Sequence, residues 1–185
     1  RIRGNFMSWF KFASEDYKEK FFEKRTKEHI ERVQKASKKI VEKFPELKGL
    51  EEQAKDHDKS KFSEPERTPY IEITWNKKQN SKEKPTKEMD EATLHHIKNN
   101  KHHPEYHNKD KANISTTNRD ESIECIDASK MDDISIAEMI ADWQAVTEEI
   151  KTNTAREWYK KVNNVRWKWT KKQNELIDKL LSTFE

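Results

Sequence analysis

Glycine, proline and cysteine are scarce in this 185-residue chain, which contains two, five and one of them. With so few turn-forming residues, we expect long helices and few hairpins. The single Cys125 excludes an intramolecular disulfide and is typical of a reducing compartment, for which we predict the cytoplasm. The chain also lacks a run of 18 apolar residues, and residues 1–6 lack the apolar stretch of a secretory signal, so no membrane association is expected.

The chain has no large excess of charge of either sign: it contains 38 basic and 35 acidic residues, so its net charge is only +3. This balance argues against nucleic acid as a partner. Charged residues make up 39% of the chain and hydrophobic residues 31%, which predicts a thin core. Six tryptophans, four tyrosines and eight phenylalanines nevertheless supply large apolar side chains, so we expect a folded protein rather than a disordered one.

Apolar residues recur at helical spacing along most of the chain, which predicts an all-α fold. We expect one domain over residues 15–185, preceded by an extension over residues 1–14 in which Met7 is a candidate initiator. The predicted helices cover residues 15–44, 46–57, 86–100, a segment that begins at Ser135, and a long C-terminal helix over 155–183. Pro45 marks the end of the first.

Two serine–glutamate pairs have the spacing of a capping box, in which each side chain bonds a backbone N–H of the other residue. They are Ser63 with Glu66 and Ser135 with Glu138. After the first pair, apolar residues at 71, 73 and 75 alternate, and we leave open whether this segment is a short helix in a loop or a strand. Residues 76–87 and 108–130 are polar and predict loops, and a lid is the alternative interpretation of the second.

Histidine has an uneven distribution that points to a site, since all seven histidines lie between positions 29 and 107. His57 and Asp58 are adjacent, at or near a predicted helix end. His29 lies in the apolar stripe of the first helix, where a ligand competes with a hydrogen-bonded core histidine as the interpretation. His96 shares the apolar face of its helix, and His95 points about 100° away from it. Imidazole and carboxylate together suit divalent metal ions.

Asp142 is the remaining acidic candidate, because it lies at the border of an apolar helical face, whereas Glu138 is expected further outside that face. A carboxylate at such a border needs a partner. A surface acid is the alternative. The order along the chain is then a histidine, a His-Asp pair, further histidines and a late aspartate.

This order resembles the HD-domain superfamily of metal-dependent phosphohydrolases. Three segments carry a closer resemblance to an uncharacterised group of phage and bacterial HD-like proteins: HDKSKF at residues 57–62, NKHHPEY at 100–106 and EMIADW at 138–143. The resemblance spans roughly residues 26–146. It implies a helical HD-like bundle in which His29, His57, Asp58 and Asp142 hold a divalent ion, with His96, His102 and His103 as candidates for a second ion or for phosphate.

One departure from the superfamily concerns the position three residues after the aspartate. Nucleotidases of the superfamily carry a glutamate there, and this chain carries Lys61. We therefore predict that Lys61 and Lys59 contact phosphate, with a solvated surface lysine as the alternative. Asn100 is a candidate for bonding phosphate or sugar, and helix C-capping is its alternative role.

The resemblance implies a divalent-metal phosphohydrolase that acts on a nucleotide or a related small phosphate ester, in the host cytoplasm if a phage encodes it. The alternative is a ligand-binding or sensor module stabilised by the metal. Mn, Fe, Co, Ni, Zn and Mg all remain candidates for the ion, and homo-oligomerisation is left open.

Overall fold

A computed structural model describes residues 13–112 and 125–185. The first predicted helix is confirmed as α1, Glu15–Lys43, which is capped by the Ser14 side chain. A 3-10 turn, Pro45–Leu47, and a short helix α2, Gly49–Ala54, follow. The predicted helix over 46–57 is therefore wrong in extent, because it ends three residues before His57 and leaves the His-Asp pair in a turn.

The middle of the described chain is more helical than its sequence pattern suggests. A 3-10 turn, Lys59–Phe62, precedes α3, Arg67–Lys78, and α4 covers Lys87–Asn99. Residues 71, 73 and 75 lie in α3, so this segment is a helix rather than a strand. The predicted capping box of Ser63 and Glu66 is wrong, since the buried Glu66 side chain bonds Ser60, His95 and His96 instead.

After α4, a 3-10 turn over Pro104–Asn108 leads into the segment predicted as a loop or lid. Residues 113–124 of that segment lie outside the described part of the chain, as do residues 1–12 of the N-terminal extension. The segment continues with β1, Ile126–Asp127.

Helix α5, Asp133–Ile150, begins earlier than the sequence predicts. Asp132 is the N-cap, and its carboxylate accepts bonds from the backbone N–H and the hydroxyl of Ser135. The predicted capping box of Ser135 and Glu138 is therefore wrong, because the Asp132 cap three residues upstream places both residues inside the helix. Glu138 is consequently free to face inward, where it is 2% exposed.

The predicted long C-terminal helix over 155–183 is also wrong. The segment consists of α6, Ala155–Val162, then β2, Trp167–Lys168, then α7, Lys171–Leu181, and a final 3-10 turn, Ser182–Phe184. Asn163 leaves the helical conformation, and Asn164 adopts a left-handed one with φ 58°, which asparagine tolerates better than most residues. Strand β2 then pairs in parallel with β1, Ile126 opposite Trp167.

Helices α1 and α5 form the centre of the fold, and α2 and α7 pack against α5. The larger apolar core includes Val33 and Ile40 of α1, Ile136 and Ile140 of α5, and Leu180 of α7. A smaller core joins Phe22 of α1 to Tyr70 of α3 and Ala92 of α4. The described ranges contain no β structure beyond the two short strands and an isolated bridge between Asn163 and Trp167, so the all-α prediction is confirmed. In the same ranges, no helix is long and apolar enough to cross a membrane.

Candidate metal centre

Asp58 lies at the middle of a buried group of histidines contributed by separate elements of the chain. Its oxygen Oδ1 is 3.1 Å from the Nε2 of His96, and 3.7 Å from the Nε2 of both His57 and His102. The backbone of Asp58 is left-handed, with φ 57° and ψ 12°, a conformation that is uncommon outside glycine and concentrates at functional sites. The turn between α2 and α3 thus directs this carboxylate inward.

The four residues predicted as metal ligands are close together on one side of Asp58. The Nε2 of His29 is 3.3 Å from the Nε2 of His57, 3.0 Å from the Oδ1 of Asp142 and 3.7 Å from the Oδ2 of Asp58. Ligands about 2.0–2.2 Å from one ion are separated from each other by roughly 3.0–3.6 Å. The two shorter separations have this size, and the one to Asp58 is slightly longer. His29, His57 and Asp142 therefore form a group compact enough to hold a divalent ion, with Asp58 at its edge.

His96, His102 and His103 form a second group on the other side of Asp58. One ring nitrogen from each lies within 4.8 Å of the others, so these groups are close enough to hold an ion. Two buried atoms in this region make no well-formed hydrogen bond to another described residue: the Nε2 of His103, and the Oδ1 of Asp58, whose 3.1 Å contact with the Nε2 of His96 lacks hydrogen-bond geometry. Buried polar atoms are normally paired, and an ion would satisfy both.

Two buried glutamates that the sequence analysis did not assign to the site fix the orientation of the central histidines. The Nδ1 of His57 is 2.8 Å from the Oε1 of Glu138, and the Nδ1 of His96 is 2.8 Å from the Oε2 of Glu66. Both Nε2 atoms therefore point toward Asp58. A carboxylate that bonds the outer nitrogen of a ligating histidine is a recurrent feature of metal centres.

His57, His102 and Glu138 form a third group compact enough to hold an ion. This grouping would use the Oε1 of Glu138, which the Nδ1 of His57 already contacts at 2.8 Å. The other two groups lie on the side of His57 that carries its Nε2, and they leave the bond between His57 and Glu138 intact. We therefore assign Glu138 to orienting His57. Its spacing could have indicated this, because Glu138 lies one helical turn before Asp142 on the same face of α5.

The charges at the centre leave it short of positive charge. Four carboxylates, those of Asp58, Glu66, Glu138 and Asp142, face one lysine ammonium from the described part of the chain, that of Lys61, whose Nζ is 2.5 Å from the Oδ2 of Asp58. Burial opposes ionisation of Asp58, but Lys61, His57 and His96 outweigh it and hold its pKa well below the usual range. Burial also opposes protonation of His57, but Asp58 and Glu138 raise its pKa above the ordinary value.

His102 and His103 are held in the form that binds metal. Burial and the neighbouring histidines lower the pKa of both well below the ordinary value, so both rings are neutral near pH 7. A neutral imidazole is the ligating species. Burial likewise opposes ionisation of Asp142, but His29 outweighs it and lowers the pKa of Asp142, which keeps this carboxylate ionised. The chemistry of the donors therefore fits a divalent ion.

The remaining predicted site residues differ in their relation to this centre. Lys61 is mostly buried beside Asp58 and lies over the ring of Tyr70. Lys59 does not reach the centre, because its exposed side chain pairs with Asp56. Asn100 donates to Ser60 and to the backbone carbonyl of His96, so it acts as the C-cap of α4 at the edge of the site.

A cavity of about 650 Å³ opens beside His29, Asp142 and His103. This volume is typical of small-molecule sites. Arg25, Lys61 and Arg166 contribute positive charge to its lining. Arg166 lies 4.3 Å from the ring centroid of Trp167. Both residues contact the buried Glu105: Trp167 donates a hydrogen bond to its carboxylate, and Arg166 forms an ion pair with it. Trp167 is itself 4% exposed, so it forms part of the core rather than a surface for partners.

Comparison with known proteins places the chain in a family but assigns no activity. No curated protein and no solved structure matches the chain significantly. Residues 18–185 match the model of a family of unknown function, DUF5662. The match spans helices α1–α7 and every histidine and carboxylate of the candidate centre. Because it covers nearly the whole sequence, the chain belongs to the DUF5662 family.

Proposed function

We propose that the protein is a divalent-metal-dependent phosphohydrolase of the HD type, which acts on a nucleotide or a related small phosphate ester in the cytoplasm. The observation that carries the proposal is the group of imidazoles around Asp58 beside a cavity with a cationic lining. The resemblance of the three sequence segments to HD-like proteins supports it independently of this geometry. The mixed nitrogen and oxygen donors favour Mn, Fe, Co, Ni or Zn over Mg.

The proposed reaction has three requirements: a nucleophilic oxygen, charge neutralisation on the phosphoryl group, and a fixed orientation. A bound divalent ion supplies the first by lowering the pKa of a coordinated water, and contributes to the second. Lys61 lies between Asp58 and the cavity, where its ammonium can bond a phosphoryl oxygen. Glu138 and Glu66 supply rigidity, because they hold His57 and His96 through their outer nitrogens.

The number of ions follows from the donors in the same way. His29, His57 and Asp142 form one group close enough to hold an ion, and His96, His102 and His103 form another. Asp58 contacts both groups, because its Oδ2 lies 3.7 Å from the Nε2 of His29 while its Oδ1 lies 3.1 Å from the Nε2 of His96. We therefore propose that the centre would hold two ions, one at each group, with the carboxylate of Asp58 available to both.

A second candidate function is a ligand-binding or sensor module that keeps the ion as a structural element. The contact between Lys61 and Asp58 favours it, because an ammonium held by a buried carboxylate is a structural partner within the centre rather than a group that acts on a phosphoryl oxygen. On this proposal, the wild type binds phosphate esters but releases no phosphate.

The deciding experiment measures phosphate release over a panel of nucleotides and sugar phosphates, with each divalent ion added in turn, for the wild type and three variants. Asp58→Ala should lose ions and activity together. Lys61→Ala should keep its ions and lose about 10²-fold in turnover if the ammonium stabilises transition-state charge. Lys59→Ala is the matched control, since this exposed lysine lies two residues away and pairs with Asp56.

The outcomes separate the two candidate functions. Turnover by the wild type that depends on an added ion, and that Asp58→Ala abolishes, supports the phosphohydrolase. Full turnover by Lys61→Ala would remove the lysine from the mechanism but keep the metal centre. If the wild type binds esters and ions but releases no phosphate with any ion, the sensor module replaces the enzyme.

A further inference from the structure

Apolar side chains that remain exposed on α5 point to a binding site beyond the ions. Within the described ranges, four large hydrophobic side chains are more than a third exposed: Tyr17, Val146, Ile150 and Val165. Two of them, Val146 and Ile150, line the cavity beside the centre. They follow Asp142 by four and eight residues, so they lie on the same face of α5. Exposed apolar groups in one cavity indicate a ligand with an apolar surface.

The distances along α5 define how long that ligand must be. A helix rises about 1.5 Å per residue, so Val146 lies roughly 6 Å and Ile150 roughly 12 Å along the axis from Asp142. In a nucleoside monophosphate, the base lies several ångströms beyond the phosphate across the sugar. A phosphate held by Lys61 and by an ion beside Asp142 would therefore place its base over this apolar part of the cavity.

Helix α6 provides an aromatic wall for the same cavity. Trp158 lines it and is half-buried, so part of its ring is available to a ligand. The ammonium of Lys161 lies 5.3 Å from the centroid of that ring and also lines the cavity. Tryptophan stacks on nucleobases of any sequence, because every base presents a π-face.

Cationic and amide side chains line the same cavity as these apolar and aromatic groups. The cations Lys61 and Arg166 line the same cavity as His29 and His103 of the centre. Asn153, in the segment between α5 and α6, offers both a donor and an acceptor to the cavity. A phosphate ester without a base would use the cationic part and leave the apolar and amide groups without a ligand.

We propose that Val146, Ile150 and Trp158 form the binding site for the aromatic base of a nucleoside phosphate, whose phosphate lies at the ion cluster. This inference rests on the proposed function for the position of the phosphate. It adds the residues that select the substrate: the stacking wall of α6 discriminates nucleotides from sugar phosphates, which lack a base.

Binding of hydrolysis-resistant ligands tests the proposal without turnover. The probes are the phosphonate analogues of adenosine, guanosine, cytidine and uridine monophosphates and of ribose 5-phosphate, titrated calorimetrically into the ion-loaded full chain. The wild type should bind at least one nucleotide analogue about ten-fold or more tightly than the ribose analogue, which is the size of a stacking contribution. Equal affinity for all five analogues would overturn the proposal.

Variants then locate the base. Trp158→Ala should lose about ten-fold or more in affinity for the nucleotide analogue and change affinity for the ribose analogue less than two-fold, while Trp158→Phe keeps most of the preference. Ile150→Ala should also reduce the preference. Val165→Ala is the matched control, because it removes an equally exposed apolar side chain that does not line the cavity. An unchanged preference in both Trp158→Ala and Ile150→Ala would refute the assignment.

The design also separates this inference from the proposed function. Nucleotide binding that depends on Trp158, without phosphate release from the natural esters, would support the base site and refute the phosphohydrolase. Phosphate release at equal kcat/KM from nucleotides and ribose 5-phosphate would support the phosphohydrolase and refute the base site. If Trp158→Ala fails to fold in thermal melts, Trp158→Phe, Ile150→Ala and the five-ligand comparison on the wild type still decide the question.

Discussion

Glu138 provides a sharp test of the candidate metal centre, because it contacts no proposed substrate and would act on a bound ion only through the histidines beside it, chiefly His57 at 2.8 Å and then His102 at 3.6 Å. Its two oxygens accept separate hydrogen bonds, from the Nδ1 of His57 at 2.8 Å and from the Nε2 of Gln53 at 2.7 Å. In Glu138→Gln, the amide has only one oxygen for these two donors. Either His57 or Gln53 then faces an NH₂ group.

The expected loss of ion affinity follows from the loss of that hydrogen-bond acceptor. Leaving one buried donor unsatisfied costs about 1–3 kcal/mol. Loss of a carboxylate that orients a ligating histidine typically reduces ion affinity about 10–100-fold, or roughly 1.4–2.8 kcal/mol, which agrees with the hydrogen-bond value. We therefore expect Glu138→Gln to bind Zn²⁺ and Mn²⁺ about 10–100-fold more weakly than the wild type.

Competition with a chromophoric chelator measures this change in ion affinity directly. Glu148→Gln is the matched control, because Glu148 lies on the same helix, more than one turn beyond Asp142, and accepts a hydrogen bond from Gln144. Its ion affinity should remain within two-fold of the wild type. If Glu138→Gln binds both ions as tightly as Glu148→Gln does, the assignment of Glu138 to orienting a ligand is refuted.

Three further predictions concern stability. Removal of ions with EDTA should lower the Tm, since an ion at 1,000 times its Kd stabilises the fold by about 4 kcal/mol. His57→Ala should abolish this shift in Tm, and His107→Ala should retain it. An unchanged wild-type melt after confirmed ion loss would contradict the coupling of ion binding to stability. Ile140→Ala should reduce the free energy of unfolding in urea by about 2–5 kcal/mol, because this side chain is fully buried between helices; a loss below 1 kcal/mol would place it outside the core. Burial opposes ionisation of Asp132, but hydrogen bonds from Ser135 outweigh it and lower its pKa, so the stability that Asp132 contributes is complete above about pH 4 and is lost as the pH falls through the lowered value. Asp132→Asn, which keeps an N-cap acceptor, should therefore lose less stability below pH 4 than the wild type does. Identical acid melts of the two proteins would contradict this.

The sequence by itself determined the helical character of the chain and singled out the central histidines and aspartates of the candidate centre. Helical spacing of apolar residues located α1 and α4, because periodicity is a local property of the chain. Residue chemistry singled out His29, His57, Asp58 and Asp142, and the structure brings these four side chains within a few ångströms of one another. His96 was correctly placed inward relative to His95 from the helical repeat alone.

The tertiary structure decided which carboxylates belong to the centre. Glu138 bonds His57 across 81 residues of chain, and Glu66 bonds His96 across 30. Both glutamates had the spacing of helix caps, and only the packing of α5 and α3 against the histidines turned them inward. Local patterns do not record such long-range pairing. Nor do they distinguish Lys61, which contacts the buried Asp58, from Lys59, whose exposed side chain pairs with Asp56.

The tertiary structure also decided the form of the C-terminal segment. Its apolar spacing suits one continuous helix, but Trp167 leaves the helical path to pair with Ile126 and to bond Glu105. The gain from burying Trp167 and Trp169 beside Trp143 depends on residues far apart in sequence, and it outweighs helix propensity, which is weak for each residue. That break sets α6 beside the candidate metal centre and completes the cavity, so the proposed base site exists only in the folded chain.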